Sequence, residues 1–157
     1  MKKLALVLVL LVALLAVSCE NDVLKNLMLT DSITLSLTQK DDYYNASYTG
    51  DGPATTDVLD CVELQVPSNR QYPNMEIRLL ENSLGSYSGK AKKVVIPKEV
   101  TFLCAGCISD AVVTEIDIQS DLTDYLDYGF SGSAFSGCTS LEKVLFNGEE
   151  VDVSEFK

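Results

Sequence analysis

FSGSAFSGCTSLEKVLFNG, residues 130–148, is the stretch that decides the fold. Its second half spaces apolar residues as Leu141-x-x-Val144-x-Phe146. A turn that leads into a short strand, with alternate side chains pointing inward, has this spacing. The same spacing occurs twice upstream, as Ala91-x-x-Val94-x-Ile96 and as Val113-x-x-Ile116-x-Ile118. Three copies at irregular intervals of about twenty to thirty residues are typical of a solenoid.

An aromatic residue or Cys, a small residue and a Gly precede each copy. They are Tyr87-Ser88-Gly89, Cys104-Ala105-Gly106 and Phe135-Ser136-Gly137. The segment from Ala134 to Val144 resembles the repeat of the BspA-like leucine-rich repeat proteins of bacteria, and Val94–Val100 resembles the strand-Pro-x-x-Val part of that repeat. This resemblance covers residues 87–148. It implies a surface protein that binds other proteins or matrix, and it does not imply catalysis.

The predicted fold is therefore mainly β, a short leucine-rich-repeat solenoid of about three repeats with an N-terminal β-rich cap. Two or three repeats cannot bury their own ends. Alternating segments at Ser32–Leu37, Val62–Val66 and Met75–Leu79 indicate strands that could supply the cap. The predicted units are a signal peptide at 1–18, a tether at 19–30, the cap at 31–85 and the repeat stack at 86–157. Asn147-Gly148 predicts a closing hairpin at the end of the stack.

The N-terminal segment has the pattern of an export signal. Met1-Lys2-Lys3 is basic, and Leu4 to Val17 is an unbroken run of fourteen apolar residues, which is too short to span a bilayer comfortably. The sequence Ala16-Val17-Ser18-Cys19 resembles a bacterial lipobox, in which the Cys is acylated. The alternative is an ordinary signal peptide with an incidental Cys. We expect an exported lipoprotein anchored to a bacterial membrane, at the outer membrane or cell surface, through Cys19.

Charge and composition exclude several function classes. The formal net charge is −11, and it becomes more negative when Lys2 and Lys3 are removed with the signal peptide. An acidic surface repels nucleic acid, so nucleic acid is not an expected partner. The chain contains no His. That removes Ser-His-Asp and Cys-His catalysis and the His-containing zinc sites, and we expect no enzyme, cofactor or metal.

Four further cysteines follow Cys19: Cys61, Cys104, Cys107 and Cys138. Cys104-x-x-Cys107 has the spacing of a redox dithiol, but such a pair normally opens a helix, and here it lies between two strand patterns. Aligning the copies places Cys107 over Cys138 and Cys104 over Phe135, as buried structural positions. The alternative is an exported thiol oxidoreductase, for which fast alkylation of Cys104 or Cys107 near neutral pH would be the signature.

The interruption between the second and third copies, residues 119–133, has two features. Leu122, Tyr125 and Leu126 have the spacing of one helical turn. Asp121, Asp124 and Asp127 recur at intervals of three. Because this is not the spacing of a calcium loop, a solvated helical face is the favoured interpretation and a calcium site the alternative.

Residues between the apolar positions of the strands should face outward in two columns. One column is Lys93, Glu115 and Lys143, and the other is Val95, Asp117 and Leu145. In a leucine-rich repeat these columns lie on the concave sheet, where ligands usually bind. A column of alternating charge can also pair with itself across strands about 4.8 Å apart. The predicted function is protein binding or adhesion. A degenerate repeat fragment with no partner is a further alternative.

Overall fold

Short strands form two sheets in the computed structural model, which describes residues 29–68 and 75–157. The strands of this part of the chain are β1 (Thr30–Thr34), β2 (Ser36–Gln39), β3 (Tyr43–Ser47), β4 (Leu59–Gln65), β5 (Glu76–Leu79), β6 (Ala91–Ile96), β7 (Phe102–Leu103), β8 (Glu115–Ile118), β9 (Gly129–Phe130), β10 (Lys143–Phe146) and β11 (Glu149–Val151). Single 3₁₀ turns occur at Gly85–Tyr87, Tyr125–Asp127 and Val153–Phe156. The predicted signal peptide and Cys19 lie outside the described residues.

The chain passes alternately between the two sheets. Sheet A has the strand order β1-β4-β6-β8-β10-β11, and sheet B has the order β2-β3-β5-β7-β9. Neighbouring strands are parallel except for the pairs β2–β3 and β10–β11. The result is a mainly β solenoid of about four turns. The predicted solenoid class is confirmed.

The strands of the three sequence copies are neighbours in sheet A, in the register that the spacing predicts. Val94 is level with Ile116, which is level with Val144. Ile96, Ile118 and Phe146 form a second row in the same way. Each of these six side chains is at most 4 % exposed. The apolar spacing therefore marks the inward face of the sheet, as alternation along a strand requires.

The described part of the predicted cap, residues 31–68 and 75–85, is β-rich, as predicted, and it continues both sheets. β1 pairs in parallel with β4, and β4 pairs in parallel with β6. β3 and β5 likewise extend sheet B. This segment therefore stacks on the repeats in their own geometry, and for this reason the solenoid has about four turns and not the three that the sequence copies indicate.

A single hydrophobic core fills the space between the sheets. Sheet A contributes Val62 and Val94, and sheet B contributes Ile77, Leu79 and Leu103, all at most 2 % exposed. Burial of a Val, Leu or Ile side chain contributes about 1.5–3 kcal/mol. Sheet B was not predicted. Its strands β7 and β9 have two residues each, too few for an alternation pattern to be visible.

The prediction of one strand over Ser32–Leu37 is wrong. β1 ends at Thr34 and belongs to sheet A, whereas β2 begins at Ser36 and belongs to sheet B. Leu35 occupies the corner, is 1 % exposed, and donates its N–H to the carbonyl of Gln65 at 2.8 Å. The apolar residues point inward before and after the corner, so the alternation gives no sign of the bend.

The predicted alignment of the cysteines is also wrong. Cys107 and Cys138 are buried, as expected, but Cys104 is half-exposed. The thiol of Cys107 donates to the carbonyl of Ala134 at 3.5 Å, and the N–H of Ile108 donates to the same carbonyl at 3.4 Å. Ile108, and not Cys104, therefore lies at the position beside the third copy that the predicted alignment gave to Cys104. Any apolar side chain can fill a buried position of this kind, so the residue type there need not be the same in every copy. The predicted alignment was displaced because it matched Cys107 with Cys138.

The C-terminal segment closes the end of the stack with the predicted hairpin. Asn147 and Gly148 have φ angles of +52° and +85°, as a type I′ turn requires, and β11 returns antiparallel to β10. The chain then folds back so that the Phe156 ring lies 4.6 Å from that of Phe130 and 5.4 Å from that of Phe135. The Phe135 N–H donates to the Phe156 carbonyl at 2.8 Å.

We predict that Phe135→Ala lowers the free energy of unfolding by about 3–5 kcal/mol, because it leaves a cavity beneath the terminal stack. Phe135 has no exposed surface, whereas Leu126 is 67 % exposed. Leu126→Ala is therefore the control, and it should change stability by less than about 0.5 kcal/mol. Chemical denaturation measures both variants. Equal midpoints for Phe135→Ala and the unmodified protein would contradict the packing described here.

Candidate functional site

The six side chains predicted to face outward lie together on one surface of sheet A. Lys93 is level with Glu115, and Glu115 with Lys143. Val95, Asp117 and Leu145 form the neighbouring row. We call this surface, defined by these six residues, the outer face. Its composition follows from the period of two along each strand, since the residues between the buried rows must point away from the core.

Ion pairs join three strands across the outer face. The Lys93 ammonium group lies 2.8 Å from a carboxylate oxygen of Glu115 and 3.3 Å from one of Asp117. The Lys143 ammonium group lies 3.8 Å from the other carboxylate oxygen of Glu115. The expected self-pairing of the column is therefore present. Cross-strand charge pairs of this kind contribute about 0.2–1 kcal/mol each.

Glu115 is the centre of this network. The hydrogen bond from Lys93 lowers the pKa of the Glu115 carboxyl group, and partial burial opposes that effect. The same hydrogen bond raises the pKa of the Lys93 ammonium group. Both groups are therefore held in their charged forms. The Glu115 side chain remains 27 % exposed and that of Lys143 40 % exposed, so a partner can reach them.

The apolar members of the outer face differ in accessibility. Val95 is half-buried, whereas Leu145 is only 9 % exposed. Leu145 therefore offers little surface to a ligand, although its predicted position is correct. The face also extends beyond the predicted residues, because Cys61 is level with Lys93 and Glu63 with Val95. The alternation of Val62-x-Leu64 was the signal that could have placed Cys61 and Glu63 there.

The thiols of the described residues do not have the environment of a redox pair. Cys61, Cys104, Cys107 and Cys138 are all free thiols. Burial raises the pKa of the Cys104 and Cys107 thiols. A nucleophilic thiol needs a lowered pKa, which a helix N-terminus or a neighbouring cation usually supplies. Arg78 acts on Cys104 in that direction, but the effect of burial is larger.

The three aspartates of the 119–133 segment have separate roles. Asp121 pairs with Lys98 at 3.2 Å. Asp124 accepts a hydrogen bond from the Leu126 N–H at 3.0 Å and so caps the 3₁₀ turn, while Asp127 is exposed. Across residues 29–68 and 75–157, no three Cys, Asp or Glu side chains are grouped as metal ligands.

The helical turn predicted in this segment is shorter than expected. It is the single 3₁₀ turn Tyr125–Asp127. Two of the three apolar residues of the predicted turn are solvent-exposed, since Leu122 is 43 % and Leu126 67 % exposed. Tyr125 alone of the three is partly buried against the core.

The outward side of sheet B carries a row that sequence reasoning missed. The Arg78 guanidinium lies 3.9 Å from the centre of the Tyr43 ring and 5.3 Å from that of Phe102, and it pairs with Glu76. A Cβ atom on Gly129 would come within 2.6 Å of the Phe102 ring. The absence of a side chain at Gly129 therefore leaves room for the Phe102 ring. The residues of this row come from separate turns of the solenoid. No local sequence motif therefore predicts the row.

Comparison with protein-family models, with characterised proteins and with solved structures finds no match. The resemblance to the BspA-like repeats thus depends on the residues quoted above. Within the described ranges, no helix has both the length and the hydrophobicity that a membrane crossing requires.

We predict that Glu115→Gln makes the stability of the protein less sensitive to acid. The folded-state pKa of Glu115 lies below its ordinary value of 4.5, so its stabilisation is complete above that value and is lost as the pH falls through the folded-state pKa. At neutral pH the variant should be less stable by about 1 kcal/mol or less. Denaturation midpoints measured from neutral to acidic pH test this.

Glu142→Gln is the matched control, because Glu142 is exposed and adjacent to Lys143 in the chain. It removes the same charge without touching the network. Its pH profile should follow that of the unmodified protein. If Glu115→Gln gave that same profile, the ion pairs would contribute nothing to stability.

Proposed function

We propose that this protein is an exported lipoprotein of the bacterial surface, anchored through Cys19, whose solenoid binds another protein or matrix component in adhesion. The observation that carries the proposal is the outer face, where Lys93, Glu115, Lys143 and their neighbours lie in register on a rigid sheet. The resemblance of Ala134–Val144 to the BspA-like repeat supports the same class of function.

The outer face is suited to recognition by charge. Its ion pairs are partly exposed to solvent. A partner can therefore contact these charged groups without first opening the core. Charge pairs on an interface add specificity and speed of association more than affinity. Val95 supplies an apolar contact beside them. A partner with alternating charges and an apolar residue would match this pattern.

The outer face occupies only part of sheet A, and the size of the whole sheet already limits the affinity. Five spacings between the six strands of sheet A cover about 24 Å, and four residues of a strand cover about 13 Å. The product, about 300 Å², is well below the roughly 800 Å² that each partner buries in a standard interface. A partner must therefore also contact the flanking loops, or bind weakly and gain strength from many anchored copies.

The thiol oxidoreductase alternative has no observation in its favour. Its two candidate residues, Cys104 and Cys107, both have thiols whose pKa is raised by burial. Cys107 has no exposed surface. A substrate disulfide could not reach it without opening the core, so the protein-binding proposal is preferred.

The anchor proposal can be tested by its lipid. We predict that the protein incorporates labelled palmitate and partitions into detergent, and that Cys19→Ser loses both properties. β1 begins at Thr30, so about ten residues separate Cys19 from the solenoid. Protease added to intact cells then reports on which side of the membrane the tether lies. Label retained by Cys19→Ser would exclude this anchor.

The binding proposal can be tested by position-specific crosslinking in cells. A photo-crosslinking amino acid in place of Val95 should capture a partner protein, because this residue of the outer face lies on β6, one of the two central strands of sheet A. The control places the same amino acid at Thr38, an exposed residue of β2 at the edge of sheet B. Capture from Thr38 and not from Val95 would move the binding surface away from the outer face.

A further inference from the structure

A second surface feature lies beyond the carboxyl ends of β8 and β10. It is a groove of about 670 Å³ between the loop at residues 120–125 and the closing hairpin. Binding pockets in proteins are commonly about 300–1,000 Å³. We call this feature the loop–hairpin groove. Residues 120–125, Phe146, Asn147 and Glu149–Val151 line it.

Asn147 holds the two walls of the groove together. Its side-chain oxygen accepts a hydrogen bond from the Ser120 N–H at 2.8 Å, and its side-chain nitrogen donates to the Leu122 carbonyl at 2.8 Å. Its backbone N–H donates to the Ile118 carbonyl at 2.9 Å. The loop is therefore tied to the hairpin at its base. A groove fixed in this way loses less entropy when it is occupied.

Most of the residues that line the groove are polar, but its apolar residues include an exposed leucine. Tyr125 and Val151 are partly buried against the core and supply the apolar part of the lining beside the buried Phe146. Leu122 lines the groove and is 43 % exposed, and Leu126, just beyond the lining, is 67 % exposed. The described residues include just four exposed large hydrophobic side chains, and these are two of them. Exposed apolar side chains next to a groove are typical of a binding site.

Charge determines which partner suits the groove. Its lining includes the carboxylates of Asp121, Asp124, Glu149 and Glu150, and no Lys or Arg is among the described residues that line it. Lys98 is not among the lining residues, but it pairs with Asp121 and neutralises one of these charges. The whole chain is acidic as well, with a net charge of −11. A basic partner is therefore attracted at long range and paired at the rim.

We propose that the loop–hairpin groove binds a basic segment of a partner protein that carries apolar side chains between its Lys or Arg residues. The apolar side chains contact Leu122, Tyr125 and Val151, and the basic ones pair with Glu149 and Glu150. This site is separate from the outer face and does not depend on the anchor. The two proposals therefore fail independently.

The test uses the full chain in a non-ionic detergent and three labelled peptides of about eight residues, a length suited to one extended segment in one groove. The first peptide alternates Lys and Leu, the second replaces Lys by Glu, and the third replaces Leu by Ser. Fluorescence anisotropy should show saturable binding of the first peptide, weakening as ionic strength rises. The second and third peptides should bind at least about tenfold more weakly.

Matched variants locate the binding site. Leu122→Ser should weaken the Lys-Leu peptide about tenfold, and Val58→Ser, which changes a similarly exposed residue outside the groove, should leave it unchanged. Glu149→Gln with Glu150→Gln should weaken binding and reduce its salt dependence. Asp41→Asn with Asp42→Asn removes two adjacent exposed acids elsewhere and is the charge control. The double charge variants keep the test valid if Leu122→Ser fails to fold.

Several results would overturn the proposal. These are absence of saturable binding by the Lys-Leu peptide, equal binding of the Lys-Ser peptide, and equal effects of the groove and control variants. Displacement of the peptide by calcium alone would indicate a cation site. Self-association of the chain that Leu122→Ser abolishes would indicate that a second copy occupies the groove.

Discussion

The register of the parallel strands is the constraint on which the structure depends. In sheet A, each strand places Val94, Ile116 or Val144 against the core and Lys93, Glu115 or Lys143 on the outside. If the register of any of these strands slipped by one residue, a charged side chain would become buried and an apolar core side chain exposed. The reason is that side chains alternate between the two faces with a period of two. The core, the ion-pair network and the position of the closing hairpin all follow from this one register.

The residues of the outer face, the proposed recognition surface, also contribute to stability. Lys93 reaches Glu115 and Asp117 on the adjacent strand, so the pairs reinforce the register that creates them. They are only partly buried, and their net contribution is therefore modest. A partner that offers equivalent pairs exchanges contacts at little cost. The loop–hairpin groove differs, since Leu122 and Leu126 are exposed there and gain from being covered.

Apolar side chains of different kinds are equivalent in the core, and this limits what a single sequence can show about a repeat. Ile108 takes the position that was expected for Cys104, and Cys104 is consequently half-exposed. The raised pKa of its thiol follows from partial burial at that displaced position. Phe156 lies against Phe130 and Phe135 and forms part of the terminal stack, although it lies outside the repeat pattern in the chain.

The sequence by itself determined the strands β6, β8 and β10 of sheet A, their register, the outer-face columns and the Asn147-Gly148 hairpin. These features depend on local spacing and turn chemistry, which are visible within about ten residues. Only the tertiary structure decided that sheet B exists, that the chain bends at Leu35, and that a groove separates residues 120–125 from the hairpin. Sheet B pairs segments from separate turns, some only two residues long, and the groove depends on Asn147 reaching a distant loop. Contacts between residues so far apart in the chain leave no periodic signal in the sequence.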